Sequence, residues 1–194
     1  MGNEVETFFD SLAPRWDEWA NDDLTRVRIL FEKAGLRKGD RVLDVACGTG
    51  VVTGLLRDYT GKPVKGIDIS GEMIAIAKRK YAEVSDIVFE KADFLSHQGA
   101  YDFVMVYNAY PHFLDREGFL SSLKANLACG GRFAIVHSLG RERLSKHHEG
   151  LSQNISRDLL PVGEEAGFYA KDFRLSCVEE GDDFYIIAGE LIAK

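Results

Sequence analysis

Apolar residues recur along this chain in two rhythms. Between Asp22 and Ala34, the residues Leu24, Val27, Leu30, Phe31 and Ala34 fall at helical spacing and Gly35 ends the run, which predicts a helix. From residue 41 onward, short and almost unbroken apolar runs alternate with helical ones. Strands are expected over 41–45, 64–69, 87–89, 101–107 and 132–137. Between them the spacing predicts helices near 50–60 (Val51, Val52, Leu55, Leu56 and Tyr59 on one side), after a Ser70 cap (Met73, Ile74, Ala77, Tyr81) and after an Asp115 cap (Phe119, Leu120, Leu123, Leu127). Apolar strands alternating with helices mean a parallel sheet covered on both faces. The end of the chain breaks the pattern. Residues 139–155 are charged and histidine-rich and read as a lid or loop, and a short helix is expected around 158–166. Two strand-like runs, 168–178 and 183–192, flank Glu179-Glu-Gly-Asp182 as a hairpin, so one terminal strand must run antiparallel.

Composition narrows the function classes. The 194 residues suit one domain with a substantial core. The first residues, Met-Gly-Asn-Glu-Val-Glu, are acidic and polar, unlike a secretion signal. No apolar run reaches the roughly 18 residues of a membrane span. The formal net charge of −7 argues against a nucleic-acid partner, which needs a basic face. Cys47, Cys129 and Cys177 are odd in number, far apart and without CxxC spacing, so a reducing cytoplasm is the expected compartment.

The most informative stretch is Arg41-Val-Leu-Asp-Val-Ala-Cys-Gly-Thr-Gly50. An apolar strand ends near an acid, and glycines without a Cβ let the backbone approach a ligand closely. Asp44 adds an anion that suits an ammonium or sulfonium better than a phosphate. In an open parallel sheet, ligands sit beyond the carboxyl ends of the strands. There this chain places Asp44 and Gly48-Thr-Gly50, then Asp68, then Asp93-Phe94, then Asn108 to His112, then His137-Ser138. Asp68 lies 18 residues after Gly50, where an acid can accept hydrogen bonds from both hydroxyls of a ribose. A nicotinamide dinucleotide is the competing ligand. It wants G-x-G-x-x-G, but Thr53 stands where the third glycine belongs, and Asp44 sits poorly beside a pyrophosphate.

Val42-Leu-Asp-Val-Ala-Cys-Gly-Thr-Gly50, Gly66-Ile-Asp-Ile-Ser70, Ala92-Asp-Phe94 and Leu127-Ala-Cys-Gly-Gly-Arg-Phe133 together resemble the ordered motifs of class I S-adenosylmethionine-dependent methyltransferases. Phe8-Phe-Asp-Ser-Leu-Ala-Pro-Arg-Trp-Asp17 is similar to the segment that folds over the cofactor in the ubiquinone/menaquinone-biosynthesis-type branch. The resemblance implies a Rossmann-like, doubly wound α/β fold with seven strands in the order 3-2-1-4-5-7-6 and the seventh antiparallel. It implies a single domain: a helical cover over 1–35, a cofactor-binding core over 36–138, a lid over 139–160, and a terminal helix and hairpin over 161–194. It implies S-adenosylmethionine as methyl donor, with S-adenosylhomocysteine as product. Asp44, Ala46, Gly48 and Gly50 would hold the methionine part. Asp68 would bind the ribose. Ile69 and Met73 would pack near the adenine, and Asp93 and Phe94 would meet its edge and face. Trp16, in the segment that folds over the cofactor, would contact it, and Asn108 would stand nearest the reacting methyl.

The acceptor side is more open. Methyl displacement from a sulfonium needs mainly positioning and desolvation, with a base only for a nucleophile that carries a proton of high pKa. Asn108, His112 and His137 are the candidate catalytic residues. Tyr110, His112, His137 and Arg141 are candidates for holding the acceptor. The histidines can be pocket walls, a general base, or a metal site made of His112, His137 and His148. Arg141, Arg143 and Lys146 can recognise an anionic acceptor, or lie on a solvated helix. The expected partner is a small molecule, since no chain remains for a separate recognition domain. Two other functions stay open: a protein that binds or senses S-adenosylmethionine without transfer, and an NAD-binding oxidoreductase.

Overall fold

The computed structural model describes residues 4–20, 22–147 and 149–192. Its elements run α1 (Glu4–Leu12), a 3-10 turn (Ala13–Arg15), α2 (Trp16–Trp19), α3 (Leu24–Lys33), β1 (Val42–Val45), α4 (Thr53–Thr60), β2 (Val64–Asp68), α5 (Gly71–Lys80), β3 (Ile87–Lys91), β4 (Tyr101–Tyr107), a 3-10 turn (Tyr110–His112), α6 (Arg116–Asn126), β5 (Leu127–His137), α7 (Arg141–His147), α8 (Val162–Gly167), β6 (Phe173–Gly181) and β7 (Phe184–Leu191).

The seven strands form one sheet in the order β3-β2-β1-β4-β5-β7-β6. Strands β1 to β5 are mutually parallel, and β7 runs antiparallel to both β5 and β6. The expected fold and the antiparallel terminal hairpin are therefore both observed. Strand order reverses between β1 and β4, which opens a crevice at their carboxyl ends.

Strand alternation divides the core into two layers. On one face Leu43, Val45, Val104, Val106, Phe133 and Ile135 pack with Phe119 and Leu123 of α6. On the other, Val42, Phe103, Met105, Ala134 and Val136 pack with Val27, Leu30 and Phe31 of α3 and Leu56 of α4. Each such Phe or Leu, fully withdrawn from water, contributes about 1.5–3 kcal/mol. Side chains cap the helices where the sequence placed them. Ser70 accepts from the Met73 amide at 3.1 Å and Asp115 from the Gly118 amide at 2.9 Å.

Some elements differ in extent from the sequence expectation. Leu127 is the first residue of β5, because α6 ends at Asn126. The charged stretch after His137 contains α7, whose Leu144 is buried while the basic residues stay outside. The amino-terminal segment opens with a nine-residue helix that contributes no fully buried side chain.

Candidate active site

A cavity of about 960 Å³ lies beyond the carboxyl ends of β1, β2 and β4, roofed by α1, α2 and the segment around α7. Its floor is the turn after β1. Ala46, at φ 54°, and Gly48, at φ 55°, occupy the left-handed region, which strongly favours residues with little or no side chain. The space a Cβ on Gly48 would fill is already contacted by the Trp16 indole nitrogen at 3.4 Å. Gly50 does not line the cavity. A Cβ there would stand 2.8 Å from the Phe89 ring and 2.9 Å from the Tyr81 ring, so this glycine lets the turn pack down on β3 and α5.

Two buried carboxylates face the cavity from adjacent strands. Asp44, 1% exposed, accepts the Thr53 hydroxyl at 2.6 Å. Asp68, 8% exposed, accepts the Gly48 amide on one oxygen and the Ser70 amide on the other, both at 2.8 Å. Asp68 thus fixes the glycine turn as well as presenting an anion. Burial pushes the Asp44 carboxyl up to about 7 and the Asp68 carboxyl up to about 6, outweighing the hydrogen bonds that favour ionisation. Both are poised for a ligand that brings hydroxyls or a positive charge. Ile69, Met73, Asp93 and Phe94 line the same region. Asp93 holds its loop by accepting the Leu95 amide at 2.9 Å.

At the end of β4, Asn108 adopts φ 52° and bridges to the end of β5. Its amide donates to the Ser138 hydroxyl and its carbonyl accepts from the Ser138 backbone, each at 2.9 Å. Both residues line the cavity. His112 also lines it, and its ring meets Phe9 of α1 edge-on at 4.9 Å between centroids. The His112 Nδ1 lies 2.9 Å from the Ile155 carbonyl oxygen, so Nδ1 must donate and the neutral ring carries its acceptor site on Nε2.

Other predicted residues stand elsewhere. Tyr110 is fully buried behind the cavity, where its hydroxyl donates to Glu165 at 2.7 Å and accepts from Tyr169 at 2.5 Å. Burial pushes that hydroxyl up to about 12. His137 ends β5 opposite Tyr185 and is fully buried, on the core face shared with Phe133 and Ile135. Arg141 turns to Glu180 at 3.5 Å. None of these three lines the cavity. His148 lies outside the described residues, and among those residues no group of three His, Cys, Asp or Glu is placed to hold a metal ion. No helix among them is long and apolar enough to cross a membrane.

Sequence reasoning missed the fasteners of the roof. Asp10 accepts the Ser70 hydroxyl at 2.5 Å, Asp17 accepts the Thr49 hydroxyl at 2.5 Å and pairs with Lys80 at 3.0 Å, and Glu6 pairs with Lys91 at 2.6 Å. The acids spaced along residues 6–17 were the available signal, but their partners lie tens of residues away.

Residues 42–131 match the family described as methyltransferase domain. Ribosomal protein L11 methyltransferase of Thermotoga neapolitana is 34% identical over 83 residues, 42% of this chain and 31% of that protein. The ubiquinone/menaquinone biosynthesis C-methyltransferase of Geotalea daltonii is 30% identical over 161 residues, 75% of this chain and 68% of that protein. The chain thus spans under a third of the first relative and about two thirds of the second. Magnesium protoporphyrin IX methyltransferase from Synechocystis, solved with bound S-adenosylhomocysteine, shares the fold with a TM-score of 0.73 at 19% identity, covering 97% of this chain and 98% of its own. The chain belongs to the class I S-adenosylmethionine-dependent methyltransferases.

Proposed function

We propose that this protein transfers the methyl group of S-adenosylmethionine to a small molecule, and that it belongs to the ubiquinone/menaquinone-biosynthesis-type branch. The observation that carries this reading is the pair Asp44 and Asp68. They are buried, ionisable carboxylates on adjacent strand ends, facing one cavity over a close-approach glycine turn. Asp68 would accept hydrogen bonds from the ribose hydroxyls, Asp44 would face the ammonium of the methionine part, and Asp93 and Phe94 would take the adenine. The NAD alternative loses ground because Thr53, in place of a third glycine, is committed to Asp44.

When bound, S-adenosylmethionine would supply a sulfonium methyl to a nucleophilic atom of the acceptor and leave as the neutral thioether S-adenosylhomocysteine. His112 Nε2 takes the acceptor's proton, its tautomer set by the Ile155 carbonyl. Asn108, locked to Ser138, shapes the passage between donor and acceptor. The helical cover excludes water.

The test is turnover with methyl-labelled S-adenosylmethionine and a fractionated pool of small metabolites. Label appearing in a filterable product with equal release of S-adenosylhomocysteine supports the proposal. Bound cofactor with no transfer to any fraction favours a sensing or sequestering protein.

A further inference from the structure

The cavity walls carry charge of one sign. Among the described residues they include six carboxylates, Glu4, Asp22, Asp44, Asp68, Asp93 and Asp115, and no lysine or arginine. Several cations of the surrounding elements are engaged elsewhere, and Arg143 and Lys146 of α7 are exposed and do not line the cavity. Arg26 pairs with Asp183 at 3.0 Å, Arg141 with Glu180 at 3.5 Å, and Arg116 and Arg157 both reach Glu165 at 3.0 Å. Lys80 and Lys91 fasten the roof through Asp17 and Glu6. Three of the six acids fall to the cofactor in the proposed function, and Asp115 is committed to capping α6. Glu4 and Asp22, both on the amino-terminal cover, remain for the other ligand. Around them the wall is apolar and aromatic, with Phe9, Leu12, Phe113, Leu139 and Leu144. A cleft with charges of one sign and low-dielectric walls focuses its field inward, where it attracts cations and repels anions.

We infer that the acceptor carries no anionic group: it is an apolar molecule, neutral or cationic. This rests on the methyltransferase reading and reverses the expectation that Arg141 recognises an anion. The apolar walls take the body of the acceptor, and the carboxylates of the cover favour an amine on it. A carboxylate or phosphate entering the same space meets no cation and loses its hydration without replacement.

The experiment uses three probes of one shape: naphthylethylamine, naphthylethanol and naphthylacetate. Each is titrated calorimetrically into protein saturated with S-adenosylhomocysteine. The amine and the alcohol are expected to bind at least about tenfold more tightly than the carboxylate, as like-charge contact in a cleft predicts. In a Glu4→Gln/Asp22→Asn variant the advantage of amine over carboxylate should shrink to within about threefold. Equal or tighter binding of naphthylacetate overturns the inference. So does an unchanged preference in the double variant, or a lack of binding by all three probes. If S-adenosylhomocysteine itself fails to bind, the methyltransferase reading falls instead. The probes titrated into ligand-free protein then still report the charge preference of the cavity.

Discussion

The two halves of the crevice are built differently. The half beyond β1, β2 and β3 is made of short-range structure: Asp44, Ala46, Gly48, Asp68 and Asp93 all sit within a few residues of a strand end, and Asp68 holds the Gly48 amide directly. The half beyond β4 and β5 is assembled from distant pieces. His112 is fixed by Ile155, 43 residues away, and touches Phe9 of the first helix. Behind it, Tyr110 is held by Glu165, which also receives Arg157, and the Arg157 amide donates to the Pro111 carbonyl at 3.0 Å. A local turn can stay constant while the assembled half changes with its segments.

The comparison breaks most visibly at Asp68. Asp68→Asn removes the charge from the proposed ribose site and one acceptor from the turn. S-adenosylhomocysteine affinity should fall about 100-fold, the scale of a lost hydrogen bond to a charged group. A change under threefold by calorimetry would separate Asp68 from the cofactor.

His112→Gln tests the other half. The rate of transfer should fall about 100-fold, as for a lost general base, while S-adenosylhomocysteine affinity stays within about twofold. A fall in affinity with an unchanged rate would make His112 part of the donor site.

The pH dependence should separate free from loaded protein. With Asp44 and Asp68 raised to about 7 and about 6, S-adenosylhomocysteine affinity declines as pH drops from 8 to 5, because both carboxylates are neutralised. The ligand-free protein moves the other way. Both groups titrate above the unfolded value near about 4, so the folded form takes up protons first and these two groups contribute stability as pH falls. Thermal melts with and without ligand across that range should converge on acidification. Parallel melts would contradict the assignment.

The smallest effect is expected at Arg141. Its partner is Glu180 and it does not line the cavity, so Arg141→Ala should leave turnover within about twofold and stability within about 1 kcal/mol. A large rise in acceptor KM would restore the anion-binding role.

The same division explains what could be read from the sequence. The parallel sheet was legible because strands buried on both faces advertise themselves as apolar runs, and β4 is buried from Phe103 to Tyr107, while the strand order came only from the motif resemblance. The floor of the cavity was legible because a glycine turn after a strand and an acid at the next strand end are local patterns. Tyr110 was not, since an aromatic two residues past Asn108 reads equally as wall or core. Only the position of Glu165, 55 residues on, sends it inward. His137 falls by alternation on the face of Phe133 and Ile135, and the sign that this strand end belongs to the core rather than the cavity lies in β7, whose Tyr185 stands opposite. Arg141 sat in a basic run whose partner, Glu180, belongs to the terminal hairpin.

The most direct test of the central claim is a calorimetric titration of the unmodified protein with S-adenosylhomocysteine and, separately, with NAD. Saturable binding of one equivalent of S-adenosylhomocysteine, with no heat from NAD, is the predicted result. Binding of NAD alone, or of neither ligand by folded protein, would contradict it.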